Sequence, residues 1–343
     1  MTPLKILEVA AEVPPYKGGI SRLVGVLSEG LKKEGHQVTL VSPRRRLKEF
    51  KISSIPFHRY GNFDVVHVWG PTPFLSDLLL LTNKGTNLVY THVAEICWKS
   101  EFVSRSYRVF HDHLAKNASQ IITISNDYAS ILRTRGLRNV EVIKPPFRFG
   151  GVDRPIASLM RSKNSRFTVL YVGQLRPFKA VDVLIRAVAE MKNVNLIIEG
   201  RGYLRTQLER LARSLSCDNV RFVNTNGDDD LIKLYETSHV ICLPSRNTTE
   251  AFGLVLLEGA AFACVPIASN LFGVRENVLQ LNGILFQPGS FKRLSERILM
   301  LSEDRDLWTK LATKSQRAAQ NYANKYTKEY YVNEHKKIFA RMS

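Results

Sequence analysis

Short apolar runs, each followed by a stretch of helical period, recur along this chain, and that alternation constrains its fold more than any other feature. Leu4–Ala10, Gln37–Ser42, Asp64–Trp69, Leu88–His92 and Ile121–Ser125 read as buried strands. Between the first two, Leu23, Val26, Leu27 and Leu31 recur at helical spacing within Ser21–Glu34, and Gly35 ends that helix. A strand–helix–strand unit implies a parallel sheet with helices on its faces. The pattern breaks in a segment rich in Pro, Gly and charge, from Lys144 to Asp153 and on to RSKNSR at Arg161–Arg166. It then restarts, with strands expected at Phe167–Val172, Val194–Glu199, Val220–Val223 and Val240–Leu243. Helices are expected at Lys179–Met191, Leu204–Leu215 and Asp229–Tyr235. The expected fold class is therefore α/β: two Rossmann-like domains, residues 1–153 and 154–324, whose parallel sheets face one another across a cleft. The tail from Trp308 to Met342 is helical and basic. A break near Ala323–Tyr326 lets the final helix, residues 325–343, cross back to the first domain.

The chemistry concentrates between Val240 and Asn270. A strand, Val240–Leu243, leads into a polar loop, Pro244–Glu250, and then into an apolar helix. Glu250 and Glu258 stand eight positions apart; eight residues of helix return nearly to the same face, about 12 Å further along the axis. A carboxylate on a helix that is apolar nearly all round must be paired or functional. Phe252, Gly253 and Leu254 lie where the helix begins, and free amides at a helix start attract anions such as phosphate. The plainer alternative is a pair of solvated glutamates around a turn.

Ligands of parallel sheets bind beyond the carboxyl ends of the strands. Gly18 and Gly19 occupy such a position at a helix entrance, where bare backbone can approach a ligand, although a simple turn needs no more. His92 ends a strand at the same edge; a structural histidine is the alternative to a catalytic one. Arg44, Arg45, Arg46, Lys48 and Lys51 form a basic run that reads as a solvated loop. In Trp98–Lys116, the rings Trp98, Phe102, Tyr107 and Phe110 approximate one helical stripe among Lys99, Arg105, Arg108 and Lys116. The simplest reading is a core-facing stripe with solvated bases, and the rival is a helix lying on an anionic membrane surface.

The chain has 343 residues, 44% hydrophobic and 23% charged, with a net charge of +18. These values describe a globular protein with an anionic partner: nucleic acid, an acidic membrane face or a phosphorylated small molecule. The four cysteines, Cys97, Cys217, Cys242 and Cys264, show no metal spacing and are read as reduced core thiols of a cytoplasmic protein. No run of apolar residues is long enough to span a membrane, so attachment to the inner membrane face would be peripheral. No nucleic-acid recognition motif accompanies the charge, and specific nucleic-acid binding is not expected. Gly200-Arg-Gly202 lacks the third glycine of a dinucleotide fingerprint, which sets aside a nicotinamide-dependent oxidoreductase.

Taken together, these motifs resemble the retaining glycosyltransferases of family 4, which have the GT-B fold. Glu250-AFGLVLL-Glu258 matches that family's E-x7-E motif. Leu243-Pro244-Ser245, Gly273-Val-Arg-Glu276, Asn282-Gly283 and Pro288-Gly289 follow in the family's order. Val172-Gly173-Gln174-Leu-Arg176-Pro-Phe-Lys179 resembles the segment that binds the donor diphosphate, and Gly18-Gly19 and His92 match the glycine loop and active-site histidine. The resemblance implies that Glu258 holds the ribose of a UDP- or GDP-sugar and that Glu250 contacts the sugar hydroxyls. The amides of Phe252, Gly253 and Leu254 would meet sugar or phosphate, and Lys179 would neutralise the diphosphate. It implies no metal and no cofactor, the nucleotide sugar being a substrate, and a glycan or lipid-linked acceptor. Two positions depart from the family: Gln174 stands where arginine is usual, with Arg176 as the possible replacement cation, and Ala180 where glycine is usual. Lys144-Pro-Pro-Phe replaces the family's Pro-Asn-Gly-Val-Asp turn. The implied activity is metal-independent hexosyl transfer; the alternative is a non-catalytic binder of nucleotide sugars on the same fold.

Overall fold

The computed structural model describes residues 2–16, 18–42, 62–82, 87–149 and 154–342, and the backbone of 45–47 and 50–52. They divide into two units, Met1–Pro146 with Tyr326–Ser343, and Phe147–Lys325.

The first unit runs β1 (Lys5–Val9), α1 (Gly19–Lys33), β2 (Gln37–Val41), β3 (Arg45–Leu47), β4 (Phe50–Ile52), β5 (Val65–Gly70), α2 (Leu75–Thr82), β6 (Leu88–His92), α3 (Glu101–Ala115), β7 (Gln120–Thr123), α4 (Asn126–Thr134) and β8 (Val140–Val142). Six of these strands pair in the order β2-β1-β5-β6-β7-β8, all parallel. β5 and β6 are buried along their whole length, which is why they read as continuous apolar runs rather than alternating ones. The exceptions inside this sheet are polar and paired. Glu8 on β1 is fully buried, and its carboxylate accepts from Trp69 Nε1 at 2.7 Å and faces His67 Nδ1 at 3.0 Å on β5.

The second unit runs α5 (Ile156–Ser162), β9 (Phe167–Val172), a 3-10 turn (Pro177–Lys179), α6 (Val181–Val188), β10 (Val194–Glu199), α7 (Arg205–Ser214), β11 (Val220–Val223), α8 (Asp228–Thr237), β12 (Val240–Leu243), α9 (Leu254–Ala261), β13 (Val265–Ser269), α10 (Val274–Gln280), β14 (Ile284–Phe286), α11 (Phe291–Glu303) and α12 (Arg305–Lys325). Its sheet order is β11-β10-β9-β12-β13-β14, again parallel throughout. The last helix, α13 (Lys328–Met342), belongs to the first unit. It starts after Tyr326, where Thr327 Oγ1 accepts from the Tyr330 amide at 3.1 Å. Its buried His335 stacks on Trp69, Phe339 meets the edge of His67, Lys336 pairs with Glu34, and Arg341 pairs with Glu141 at 3.0 Å.

Four expectations change. The division falls between Pro146 and Phe147, and residues 150–153, where the sequence places it, lie outside the described residues. The reason is aromatic: Phe147 meets Phe149 edge-on, and Phe149 packs against Tyr235 and Phe262 of the second unit. The basic run is not simply loop, because β3 and β4 pair antiparallel; Arg44 and Lys48 lie outside the described residues. α6 begins at Val181 rather than Lys179, since the chain passes through a left-handed Ala180 (φ 51°) after the 3-10 turn. Finally, the ring stripe of Trp98–Lys116 faces the core only in part: Trp98 and Tyr107 are half-buried and Phe102 and Phe110 are not. α3 turns Ser104, His111, Asp112 and Leu114 inward and leaves Phe102 80% and Phe110 51% exposed.

Candidate active site

The order of the second sheet reverses between β9 and β12, and at such a switch point the loops leaving the two carboxyl ends part and open a crevice. The loop after β9 carries Lys179 on its 3-10 turn, and the loop after β12 carries Glu250. Their side chains meet, with Lys179 Nζ 2.5 Å from Glu250 Oε2. The buried Ser245 hydroxyl donates to the same oxygen at 3.0 Å, fixing the carboxylate from behind. Arg246 stitches the two loops together. Its amide donates to the Phe178 carbonyl at 2.7 Å, and its guanidinium reaches Asp182 at 2.5 Å.

Gly173 and Gly200 explain the glycines beside this loop. Both have positive φ, and a Cβ on Gly200 would stand 1.8 Å from the Gly173 carbonyl oxygen. The turns after β9 and β10 therefore touch backbone to backbone. Gln174 and Arg176 are both half-buried. The Gln174 carbonyl accepts from Tyr171 OH at 2.9 Å, and burial, reinforced by the Glu250 charge, pushes that phenol well above its usual range and keeps it a donor. Because β9 ends at Val172, strand alternation does not relate the side chains of Arg176 and Gln174; Arg176 instead precedes the 3-10 turn as its cap.

Beyond Glu250, Phe252 is buried and its carbonyl accepts from Asn277 Nδ2 at 2.6 Å. Gly253 caps α9 in the left-handed region, at φ 74°, where a side chain would be strained. α9 starts only at Leu254, so Glu250 is not helical and the eight-residue helical spacing does not relate it to Glu258. Glu258 is a buried group of α9. Tyr235 OH donates to its Oε2 at 2.9 Å, and Arg148 NH1 stands 3.7 Å from the same oxygen while pairing with Asp228 at 2.5 Å. Burial first, and then the Glu258 charge, push the Tyr235 phenol well above its usual range, so it too remains a donor. Asp228, Asp229 and Asp230 open α8, with Asp230 accepting from the Asn226 amide at 3.2 Å.

In the first unit Gly18 is extended and precedes α1, against the Glu12 carboxylate, and the space where a Cβ of Gly19 would stand is open. His92 closes β6 and is buried. Its Nδ1 lies 3.3 Å from Tyr90 OH, which lies 2.8 Å from His111 Nε2, and His111 Nδ1 lies 2.7 Å from Asp77. On the other side His92 Nε2 stands 3.7 Å from Glu95, too far for a hydrogen bond. Glu95 also holds Arg135 at 2.7 Å and Arg108 at 3.4 Å. Burial raises its carboxyl, but His92 and Arg135 outweigh burial and hold it at about 2.

Thus Lys179, Glu250 and Ser245 come together at one crevice, with Gly173 and Gln174 on the turn just before it, and Glu258 sits in its own buried group farther along α9. Sequence reasoning gave no role to Arg148, Tyr235, Asp77, His111 or Glu95. Glu95 follows His92 by three positions, the one local signal among them. The four cysteines are free, and the described residues contain no group of three or more His, Cys, Asp or Glu placed to hold a metal ion.

Residues 160–325 match the family model described as glycosyl transferases group 1, and residues 5–143 match that of the starch synthase catalytic domain. The O-antigen chain mannosyltransferase C of Escherichia coli is 25% identical, covering 94% of this chain and 92% of its own. Two solved structures share the fold. Sucrose-phosphate synthase from Thermosynechococcus elongatus has TM-score 0.79 and 20% identity, with 99% of each chain covered. Anabaena Alr3699/HepE in complex with UDP and glucose has TM-score 0.72 and 18% identity, with 98% of this chain and 100% of that one covered. The chain thus has the two-sheet architecture of these structures, the GT-B fold, and its second unit matches the group 1 glycosyl transferase model.

Proposed function

We propose that the chain is a retaining, metal-independent glycosyltransferase of family 4 that moves a hexosyl unit from a UDP- or GDP-sugar to a glycan or lipid-linked acceptor. The observation that carries this reading is the Lys179–Glu250 pair at the switch point of the second sheet. In the reaction the bond between the sugar's anomeric carbon and the diphosphate breaks, and negative charge grows on the departing phosphate. Lys179 and the backbone at the start of α9 (Phe252–Leu254), the positive end of the helix, meet that charge. Glu250, fixed by Ser245, accepts from donor sugar hydroxyls, and Glu258, set by Tyr235 and Arg148, takes the ribose. Gly173, Gln174 and Arg176 line the diphosphate side.

The second unit takes most of the donor and the first takes the acceptor, with Gly18 and Gly19 contributing to donor binding and His92 to catalysis. The names of the relatives support this choice of chemistry: one is a mannosyltransferase of a glycan chain, and another binds UDP and glucose. Gln174, in place of the usual arginine, favours a second reading, a non-catalytic binder. One experiment separates the two. The protein is incubated with UDP-, GDP- and ADP-sugars and candidate acceptors, and release of nucleotide diphosphate is measured. Transfer abolished in Lys179→Ala and Glu250→Ala supports the proposal, turnover unchanged in both overturns the site, and tight donor binding without any transfer establishes the binder.

A further inference from the structure

Two neighbouring helices of the first unit turn large apolar side chains outward. On α2 and the turn before it, Phe74, Leu78 and Leu81 are exposed; on α3, Phe102, Val109 and Phe110 are. Isolated exposed apolar residues are ordinary, but six on two helices that touch form a patch of the kind that marks an interaction site. The patch is held rigidly from below. Asp77 of α2 accepts from Tyr107 OH at 3.0 Å and lies 2.7 Å from His111 Nδ1, both on α3. Tyr107 in turn holds Trp98 edge-on at 5.0 Å and Phe110 at 6.5 Å between ring centroids. The inward face of α3 is largely polar because it serves this network, which leaves Phe102 and Phe110 exposed.

Charge identifies the occupant. Lys99, Arg105 and Lys116 are exposed along α3 and just before and after it, while its one exposed acid, Glu101, stands 3.5 Å from Arg108. The whole chain carries +18. Exposed aromatics rimmed by cations suit the boundary of an anionic bilayer, where rings enter the acyl edge and cations stay at the headgroups. A second copy of so basic a surface would instead repel it. We infer that the outward face of α2 and α3 docks this protein on an anionic lipid surface. The inference does not depend on which sugar is transferred or on whether transfer occurs.

The test is flotation of the full chain with phosphatidylcholine vesicles, with and without phosphatidylglycerol, across a salt series. Wild-type protein should float with the anionic vesicles. Phe102→Ser combined with Phe110→Ser should lower its partition coefficient about tenfold or more, because each ring removes buried apolar area. Arg105→Glu with Lys116→Glu should abolish the preference for anionic lipid. Both variants alter exposed side chains, so an unchanged melting curve verifies that they fold. No flotation of wild type at low salt overturns the inference. Equal flotation of wild type and the double serine variant also overturns it, since binding would then be diffuse charge. A solution dimer that the serine substitutions dissolve overturns it as well, by giving the face to a second copy.

Discussion

The two parallel sheets both reverse order once, between β1 and β5 and between β9 and β12, yet their carboxyl edges are built differently. In the second unit the edge is made of turns. Glycine turns, a 3-10 turn and a left-handed cap bring one lysine and one glutamate together from two short stretches, residues 171–182 and 243–258. In the first unit the edge around His92 is a buried polar network. Its members, Asp77, Tyr90, Glu95, His111 and Arg135, come from α2, β6, α3 and the segments beside β6 and α4. The first arrangement is a single ion pair, with Glu250 buried and Lys179 half-buried. The second spreads its charge over several carboxylates, imidazoles and a guanidinium. The difference teaches that the same topology can concentrate its ionisable groups in one pair at one edge and spread them through a network at the other.

Substitutions can break or sharpen that contrast. The largest effect is expected at the Lys179–Glu250 pair: Lys179→Ala should lower turnover about 10²–10³-fold, as loss of a charge-stabilising group does, and should also lower the melting temperature, because the buried Glu250 carboxylate keeps only the Ser245 hydroxyl. Turnover that falls no further than stability would erase the contrast. Glu95→Ala in the first unit should cost about 3 kcal/mol in denaturant unfolding, because it leaves Arg135 only the Asp112 carboxylate at 3.6 Å. A cost near zero would show that the network is not structural.

Acid offers a more gradual test that reaches both units. Burial lowers His335 in the first unit and His239 in the second from 6.5 to about 3. The unfolded chain then binds protons below pH 6.5 that the folded chain refuses, so stability is complete above that pH and falls progressively toward pH 3. Glu95, held at about 2, adds a second loss between pH 4.5 and 2. Melting temperatures measured across this range should fall in that order, and His239→Phe should flatten the upper window. The smallest effect is expected at Ala180, whose left-handed backbone strains a side chain. Ala180→Gly should raise stability by no more than about 1 kcal/mol, since the added freedom of the unfolded chain opposes the relief; a clear fall would mean that the buried methyl matters more than the strain.

The second unit was the more legible because its site is local. Gly173 to Lys179 and Ser245 to Glu258 are short segments whose residue types carry their own geometry, so a motif could be read without knowing what packs where. Even there the reading assumed a helix at Lys179 and a helical relation between the glutamates; Pro177, Ala180 and Gly253 end those regularities. In α3 the sequence misled. Its apolar and polar residues both recur at helical spacing, and periodicity finds a face without saying which face is inside. The partners that decide it, Asp77 and Arg135, are 34 positions before His111 and 40 after Glu95.

By itself the sequence determined the alternation of strands and helices, the two parallel sheets, the return of the last helix near Tyr326, and the residues of the turn after β9 and of the glutamate loop. Those features follow from local period and backbone preference, which act over a few residues. Only the tertiary structure decided that Lys179 meets Glu250, that Tyr235 and Arg148 hold Glu258, and that Phe102 and Phe110 face outward. Each of these depends on burial of charge, whose cost is set by neighbours that the chain brings from far away.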